Sequence, residues 1–199
     1  DVVGFQSSSY VTKILATSAA SDDHFAGGGG SSDLPNIQAW SNYSLSPAVG
    51  PQEDLWRRGY MGIMRANVLL EKLPEIPMGD DEKARFTAEA KFLRAYFYFD
   101  LIRYFRNIPL IMSPLVGDAI YATPQVAPQE VYAAMEKDLM EAIPVLPINL
   151  NLDTEAGRAS QGTARALLGK VYLQQEKFTE AAAQFREVNG EPGQTSKYG

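Results

Sequence analysis

The stretch AEAKFLRAYFYFDLIRYFRNIPLIM, residues 88–112, decides the fold because its apolar side chains recur at helical spacing. One predicted face comprises Phe86, Ala90, Leu93, Phe97, Leu101 and Phe105, and a second comprises Phe92, Tyr96, Phe99 and Arg103. A helix that is apolar around most of its circumference packs against neighbours on several sides. The charged residues Arg94, Asp100 and Arg103 interrupt the run and exclude a membrane span, and we expect them to pair with each other or with neighbouring acids. We therefore predict that the helix over 88–105 is the most buried element.

Helical periodicity also predicts the other main elements. It runs through 53–73, 128–143, 161–176 and 179–189, and more weakly through 5–20. Two long connections, 21–51 and 106–127, have no such period, and the dense glycines and prolines of the first exclude a long element there. The sequence therefore predicts a single all-α domain over 1–199, with long connecting loops.

The last two predicted helices, over 162–189, carry a tetratricopeptide pattern. Its residues are Leu168, Gly169, Tyr172, Ala181 and Phe185, at the spacing L-G-x2-Y-x8-A-x3-F. Gly169 and Ala181 are small enough to let two helices approach, and Tyr172 and Phe185 fill the crossing. An ordinary helical hairpin is the alternative interpretation. Because such units bury their faces only against neighbours, a second, looser unit is expected from the helices over 80–105 and 128–143.

Composition argues against several classes of function. The chain of 199 residues has a net charge of −6 and no basic run, which disfavours a nucleic-acid partner. It contains no cysteine, so thiolate catalysis and cysteine metal sites are excluded. The single histidine, His24, follows Asp22 and Asp23, and a solvated loop is a better interpretation of this group than a metal site. No pair of acids stands out as glycosidase carboxylates, so we predict neither an enzyme nor a cofactor.

One grouping in the 21–51 connection suits sugar recognition. A sugar ring offers hydroxyls for hydrogen bonds and a face of C–H groups for stacking on an aromatic ring. The grouping comprises Asp33, Asn36, Gln38, Trp40, Asn42 and Tyr43. Trp40 is off any helical pattern and is predicted as the stacking platform, with Tyr43 beside it. The alternative is that Trp40 only pins the loop to the body of the protein.

Several motifs together resemble the SusD/RagB family of outer-membrane lipoproteins, which capture glycans at the surface of Bacteroidetes. They are EAKFLRAYFYFDLIRYF followed by NIPLI, RANVLLEKL at 65–73, VYAAMEKDLMEAIPVLP at 131–147 and GRASQGTARALLGKVYL at 157–173. The resemblance covers roughly residues 50–189 and implies a tetratricopeptide-type helical fold. It also implies that the chain is the helical N-terminal portion of a longer protein.

The resemblance further implies a function and partners. The expected ligand is an oligosaccharide or polysaccharide, and the expected protein partner is a SusC-like, TonB-dependent outer-membrane transporter. The expected location is the cell surface, through a lipid anchor outside this chain. Ligand residues vary within the family, so none is transferred by motif. A helical-repeat adaptor without its own sugar site is the alternative function, and a glycosidase is a weaker third.

Overall fold

A computed structural model describes residues 13–27, 29–30, 32–48, 52–190 and 198. The helices are α1 (Lys13–Ala19), α2 (Pro35–Ser41), α3 (Gln52–Lys72), α4 (Asp80–Phe105), α5 (Ala119–Ala122), α6 (Pro128–Ala142), α7 (Leu152–Glu155), α8 (Gln161–Gln174) and α9 (Phe178–Asn189). A 3-10 turn at Leu73–Glu75 follows α3, and the short strands β1 (Ile108–Pro109) and β2 (Gln125–Val126) pair antiparallel. The all-α prediction is confirmed. The first half of the helix predicted over 5–20, residues 5–12, lies outside the described part, and α1 lies in the second half.

The chain divides into two compact units, one up to Tyr60 and one from Met61 onwards. In the first unit, α1 and α2 pack together through Ala19 and Ile37, and the half-buried Ala26 and Trp40 lie against this pair. The single-domain organisation stays a prediction. Within the described residues, no helix has both the length and the apolar character that crossing a bilayer requires.

Helix α4 is the centre of the second unit, as predicted. It packs along α6, contacts α8 and β1, and buries Ala95, Tyr98, Leu101 and Ile102. Its predicted main face is wrong in part, because Leu93 is exposed and Phe97 is only half-buried. Between Phe92 and Phe105, apolar residues occur on every side of α4, so helical period alone does not show which side faces the neighbouring helices.

Helices α8 and α9 form the predicted tetratricopeptide-type pair. Ala181 is buried at their crossing, and a Cβ added to Gly169 would lie 2.6 Å from the Phe185 ring. The small residue therefore allows the close approach, as the motif predicts. The looser unit is also present, since α4 and α6 pack against each other and α6 packs against α8.

We expect Gly169→Ala to lower the free energy of unfolding by about 1–3 kcal/mol, because the new methyl overlaps the Phe185 ring. Chemical denaturation of the variant and wild-type proteins measures the loss. The double variant Gly169→Ala/Phe185→Leu is the control, since a smaller side chain at 185 leaves room for the methyl. A single variant as stable as the wild type would contradict close packing at this crossing.

The connection over 106–127 is more ordered than the sequence suggested, because a buried polar cluster holds its start. Arg94 donates to both carboxylate oxygens of Asp138 (2.7 and 2.8 Å), to Asn67 Oδ1 (2.8 Å) and to the Met112 carbonyl (3.1 Å). Asn67 Nδ2 in turn donates to the Ile111 carbonyl (2.9 Å). The expected pairing of the helix charges is thus confirmed for Arg94, and Arg103 pairs with Asp100 (2.9 Å).

Tyr98 completes this cluster from α4. Its hydroxyl donates to the Ile111 carbonyl (2.8 Å) and accepts from the Ile111 N–H (2.6 Å). Burial is the main cause that raises the pKa of Tyr98 to about 12, so the phenol stays neutral and keeps its proton for the carbonyl. Both the N–H and the carbonyl of Ile111 are therefore hydrogen-bonded, which holds the backbone at this position.

Candidate functional site

Helix α2 is the element that positions the predicted sugar-binding residues. It begins with Pro35, which is favoured in the first helical turn because it has no N–H to satisfy. Asp33 lies just before the helix and Asn36 in its first turn, whereas Asn42 and Tyr43 follow its last turn. At 1.5 Å per residue, the seven residues of α2 separate these two groups by about 10 Å. One short helix thus presents all of them within the span of an oligosaccharide.

Trp40 lies inside α2, so the expectation that it stands outside any helical pattern is wrong. It is half-buried and packs against Ala19 and Ile37. Trp40 and Ile37 are three residues apart and share one side of the helix. The indole therefore contributes to the small core of the first unit, and part of its surface remains accessible.

Tyr43 presents the more exposed aromatic ring, with 78% of the residue accessible. Its hydroxyl donates to the Ala20 carbonyl (2.8 Å), and its backbone is left-handed at φ 51°. Such a conformation is unfavourable for a bulky residue and persists only where the surroundings enforce it. The ring is therefore tethered at its far end while its faces stay open to solvent.

The polar members of the grouping differ in how firmly they are held. The Asp33 carboxylate accepts from the Gly29 N–H (3.1 Å), and Gln38 Nε2 donates to the Gly30 carbonyl (3.0 Å) and to the Asp33 carbonyl. These bonds fix the turn before α2 and leave the carboxylate with further acceptor capacity. Asn36 and Asn42 have exposed side chains at either end of the helix.

One exposed aromatic in the same unit was missed by the sequence reasoning. Phe25 is about as accessible as Tyr43, and its neighbour Ala26 donates from its N–H to Ser41 Oγ (3.3 Å) at the end of α2. The sequence signal was an aromatic two residues before the glycine run at 27–30, where no apolar period explains it.

The described residues contain no group of three or more histidine, cysteine, aspartate or glutamate side chains arranged to hold a metal ion. His24, Asp22 and Asp23 are exposed in the segment between α1 and α2.

Comparison with known proteins shows to which family this chain belongs. Residues 6–173 match the SusD-like family described as "Starch-binding associating with outer membrane". The chain belongs to the SusD-like family. SusD-like protein P2 of Formosa agariphila is 33% identical over 153 residues, which cover 73% of this chain and 29% of the relative. SusD-like protein P38 of the same bacterium is 35% identical over 111 residues, which cover 54% of this chain and 21% of the relative.

Solved structures of the SusD-like family share the fold of this chain. A laminarin-binding SusD-like protein is 50% identical, with a TM-score of 0.90 over 94% of this chain and 40% of that protein. Surface glycan-binding protein A from Bacteroides uniformis is 25% identical, with a TM-score of 0.82 over 94% of this chain and 42% of that protein. The chain spans less than a third of the length of these curated relatives and less than half of the length of the proteins in these solved structures.

Proposed function

We propose that the chain is part of a cell-surface glycan-binding protein that takes up an oligosaccharide or polysaccharide and delivers it to a TonB-dependent transporter. The observation that carries this proposal is the similarity to the laminarin-binding SusD-like protein, at 50% identity and a TM-score of 0.90. The family description, which names starch, supports the same class of ligand. Titration of the full-length protein with laminarin, soluble starch and other glycans tests it.

For this function we propose a sugar contact built on α2. Tyr43 offers an open ring face for stacking, and the accessible part of Trp40 extends the aromatic surface. Asp33, Asn36 and Asn42 supply carboxylate and amide groups that hydrogen-bond sugar hydroxyls. The helix holds these groups in a fixed relation, which reduces the ordering that a ligand must impose.

The partner and the location are the finer part of the proposal. A SusC-like transporter in the outer membrane would contact the helical repeat formed by α4, α6, α8 and α9, because stacked helix pairs create extended binding surfaces. A lipid anchor would hold the protein at the cell surface. Gentle extraction of the full-length protein from native membranes is expected to recover a large outer-membrane protein with it, and recovery of a lone species would contradict this.

The alternative function is a helical-repeat adaptor that binds only protein. If this alternative is correct, a transporter or another protein is recovered with the full-length protein, and no glycan gives a response in the titration. A glycosidase would instead degrade the bound glycan, so product analysis after incubation is part of the same experiment.

We expect Tyr43→Ala and Trp40→Ala in the full-length protein to weaken glycan binding about three- to tenfold each, through loss of stacking surface. Trp40→Ala is expected to lower the melting temperature as well, because the indole packs on the Ala19 and Ile37 core. Titration calorimetry and thermal unfolding are measured side by side. Phe178→Ala, which removes an exposed aromatic from α9, is the control.

The two measurements separate binding from folding. If Trp40→Ala loses stability while the folded fraction binds glycan as well as the wild type, Trp40 is a structural pin. If Tyr43→Ala also binds normally, the α2 contact is wrong, and the glycan site lies elsewhere in the protein.

A further inference from the structure

We call the connection between β1 and β2, residues 110–124, the supported loop, because protein contacts hold its base. At its base, Ile108 pairs with Val126 and Pro109 with Gln125. Immediately after β1, the buried cluster of Arg94, Asn67 and Tyr98 binds the backbone of Ile111 and Met112 (2.6–3.1 Å). The base and the start of the loop are therefore held by the helical scaffold, an arrangement in which loops commonly carry binding residues.

The tip of this loop presents an aromatic ring beside a carboxylate. Tyr121 is 89% accessible and lies in the short helix α5, which Asp118 precedes. The Tyr121 N–H donates to the Asp118 carbonyl (3.0 Å), and residues three apart in such a turn lie on one side. Thr123 Oγ1 donates to the Ala119 carbonyl (2.7 Å) and closes the end of the turn.

We propose that Asp118 and Tyr121 form a further contact for an uncharged glycan, separate from the residues of α2 and resting on the proposed glycan-binding function. The Tyr121 ring stacks on the C–H face of a sugar, and the Asp118 carboxylate accepts hydrogen bonds from its hydroxyls. Both residues are exposed, so their side chains are accessible to a ligand.

The composition of the loop favours an uncharged glycan over other ligands. Asp118 is the one charged residue between Asn107 and Ala127, so the tip has no cation to bind phosphate or an anionic lipid headgroup. A stable protein interface takes about 20–30 residues from each partner with an apolar centre. Among the side chains that the structure describes at the tip, the strongly exposed apolar ones are Val116 and Tyr121. That area suits one or two sugar rings.

Three variants of the full-length protein test the inference: Tyr121→Ala, Tyr121→Phe and Asp118→Ala. Each is titrated with laminarin and with soluble starch, and Phe178→Ala is again the exposed-aromatic control. We expect Tyr121→Ala and Asp118→Ala to weaken binding of the recognised glycan about three- to tenfold, and Tyr121→Phe to stay within about twofold because it keeps the ring. Melting temperatures are expected to match the wild type, since neither side chain packs in the core.

The outcomes distinguish this inference from the proposed function. If the wild type binds a glycan and Tyr121→Ala binds it equally well, the contact at the loop tip is overturned while the proposed function stands. If glycan binding is unchanged but less transporter is recovered with the variant, the tip is a protein contact and the inference is wrong. If the wild type binds neither glycan, the proposed function fails for these ligands and the inference fails with it.

Discussion

Arg94→Met is expected to lower the free energy of unfolding by about 3–5 kcal/mol, the loss typical of breaking a buried ion pair. Arg94 is 6% accessible and Asp138 is 3% accessible, and two short hydrogen bonds join them. Methionine fills much of the volume of the arginine stem but leaves the Asp138 carboxylate buried without its cation. It also removes the donors to Asn67 and to the Met112 carbonyl. Urea denaturation of the variant and wild-type proteins measures the loss.

A control is available on the same two helices. Lys91 of α4 pairs with Glu141 of α6 (2.6 Å), but these side chains are far more accessible than Arg94 and Asp138. Solvent screens such a pair, so Lys91→Met is expected to lose less than about 1 kcal/mol. An equal loss from Lys91→Met and Arg94→Met would contradict the claim that burial makes the difference.

The double variant Arg94→Met/Asp138→Leu distinguishes the contribution of the ion pair to stability from that of the other hydrogen bonds of Arg94. Replacing a whole buried pair by apolar side chains is often neutral or stabilising. Here recovery is expected to be partial, because Asn67 Oδ1 and the Met112 carbonyl still lack their donor. The unrecovered part measures what the cluster contributes to holding the loop base.

The sequence predicted that Arg94 would pair with an acid, but not which one. Arg94 and Asp138 are 44 residues apart, and their contact depends on how α4 packs along α6. A charge on an apolar helix is a local signal, whereas the choice of its partner is set by tertiary packing. The same limit applies to the loop start at Ile111, whose hydrogen-bond partners come from α3 and α4.

Motif and periodicity predicted the long elements well and the short ones poorly. Helices α3, α4, α6, α8 and α9 each repeat their apolar positions over three or more turns, which makes the period visible. Helix α2 has seven residues, too few for a period to stand out among the surrounding breakers. Its start could have been found from Pro35 and from the three-residue spacing of Ile37 and Trp40.

Composition predicted the residues of the candidate sugar contact, but it did not predict how their side chains are arranged. Asp33, Asn36, Asn42 and Tyr43 were recognised as residue types that suit a sugar. Composition does not show that the Trp40 ring lies against the core of the first unit while the Tyr43 ring is open to solvent. That difference depends on how α1 packs against α2, and the residues that make this contact show no clear helical period in the sequence.

Leu101→Ala is expected to lower the free energy of unfolding by about 2–5 kcal/mol, because the residue is 1% accessible and its loss leaves a cavity in the core around α4. Leu93→Ala is the matched variant. Helical period places both leucines on the same predicted face of α4, two turns apart, so the sequence alone predicts similar losses.

The structure predicts that the two losses differ. Leu93 is 41% accessible, and its truncation is expected to lose less than about 1 kcal/mol, since much of its side chain already contacts water. Leu101 lies further along the same helix, where its side chain is enclosed by the core around α4. Equal losses in urea denaturation would mean that the sequence-predicted face is correct and that the neighbours of α4 are placed wrongly around it. A loss confined to Leu101→Ala would support the packing of α4 on which the buried Arg94 cluster and the supported loop both depend.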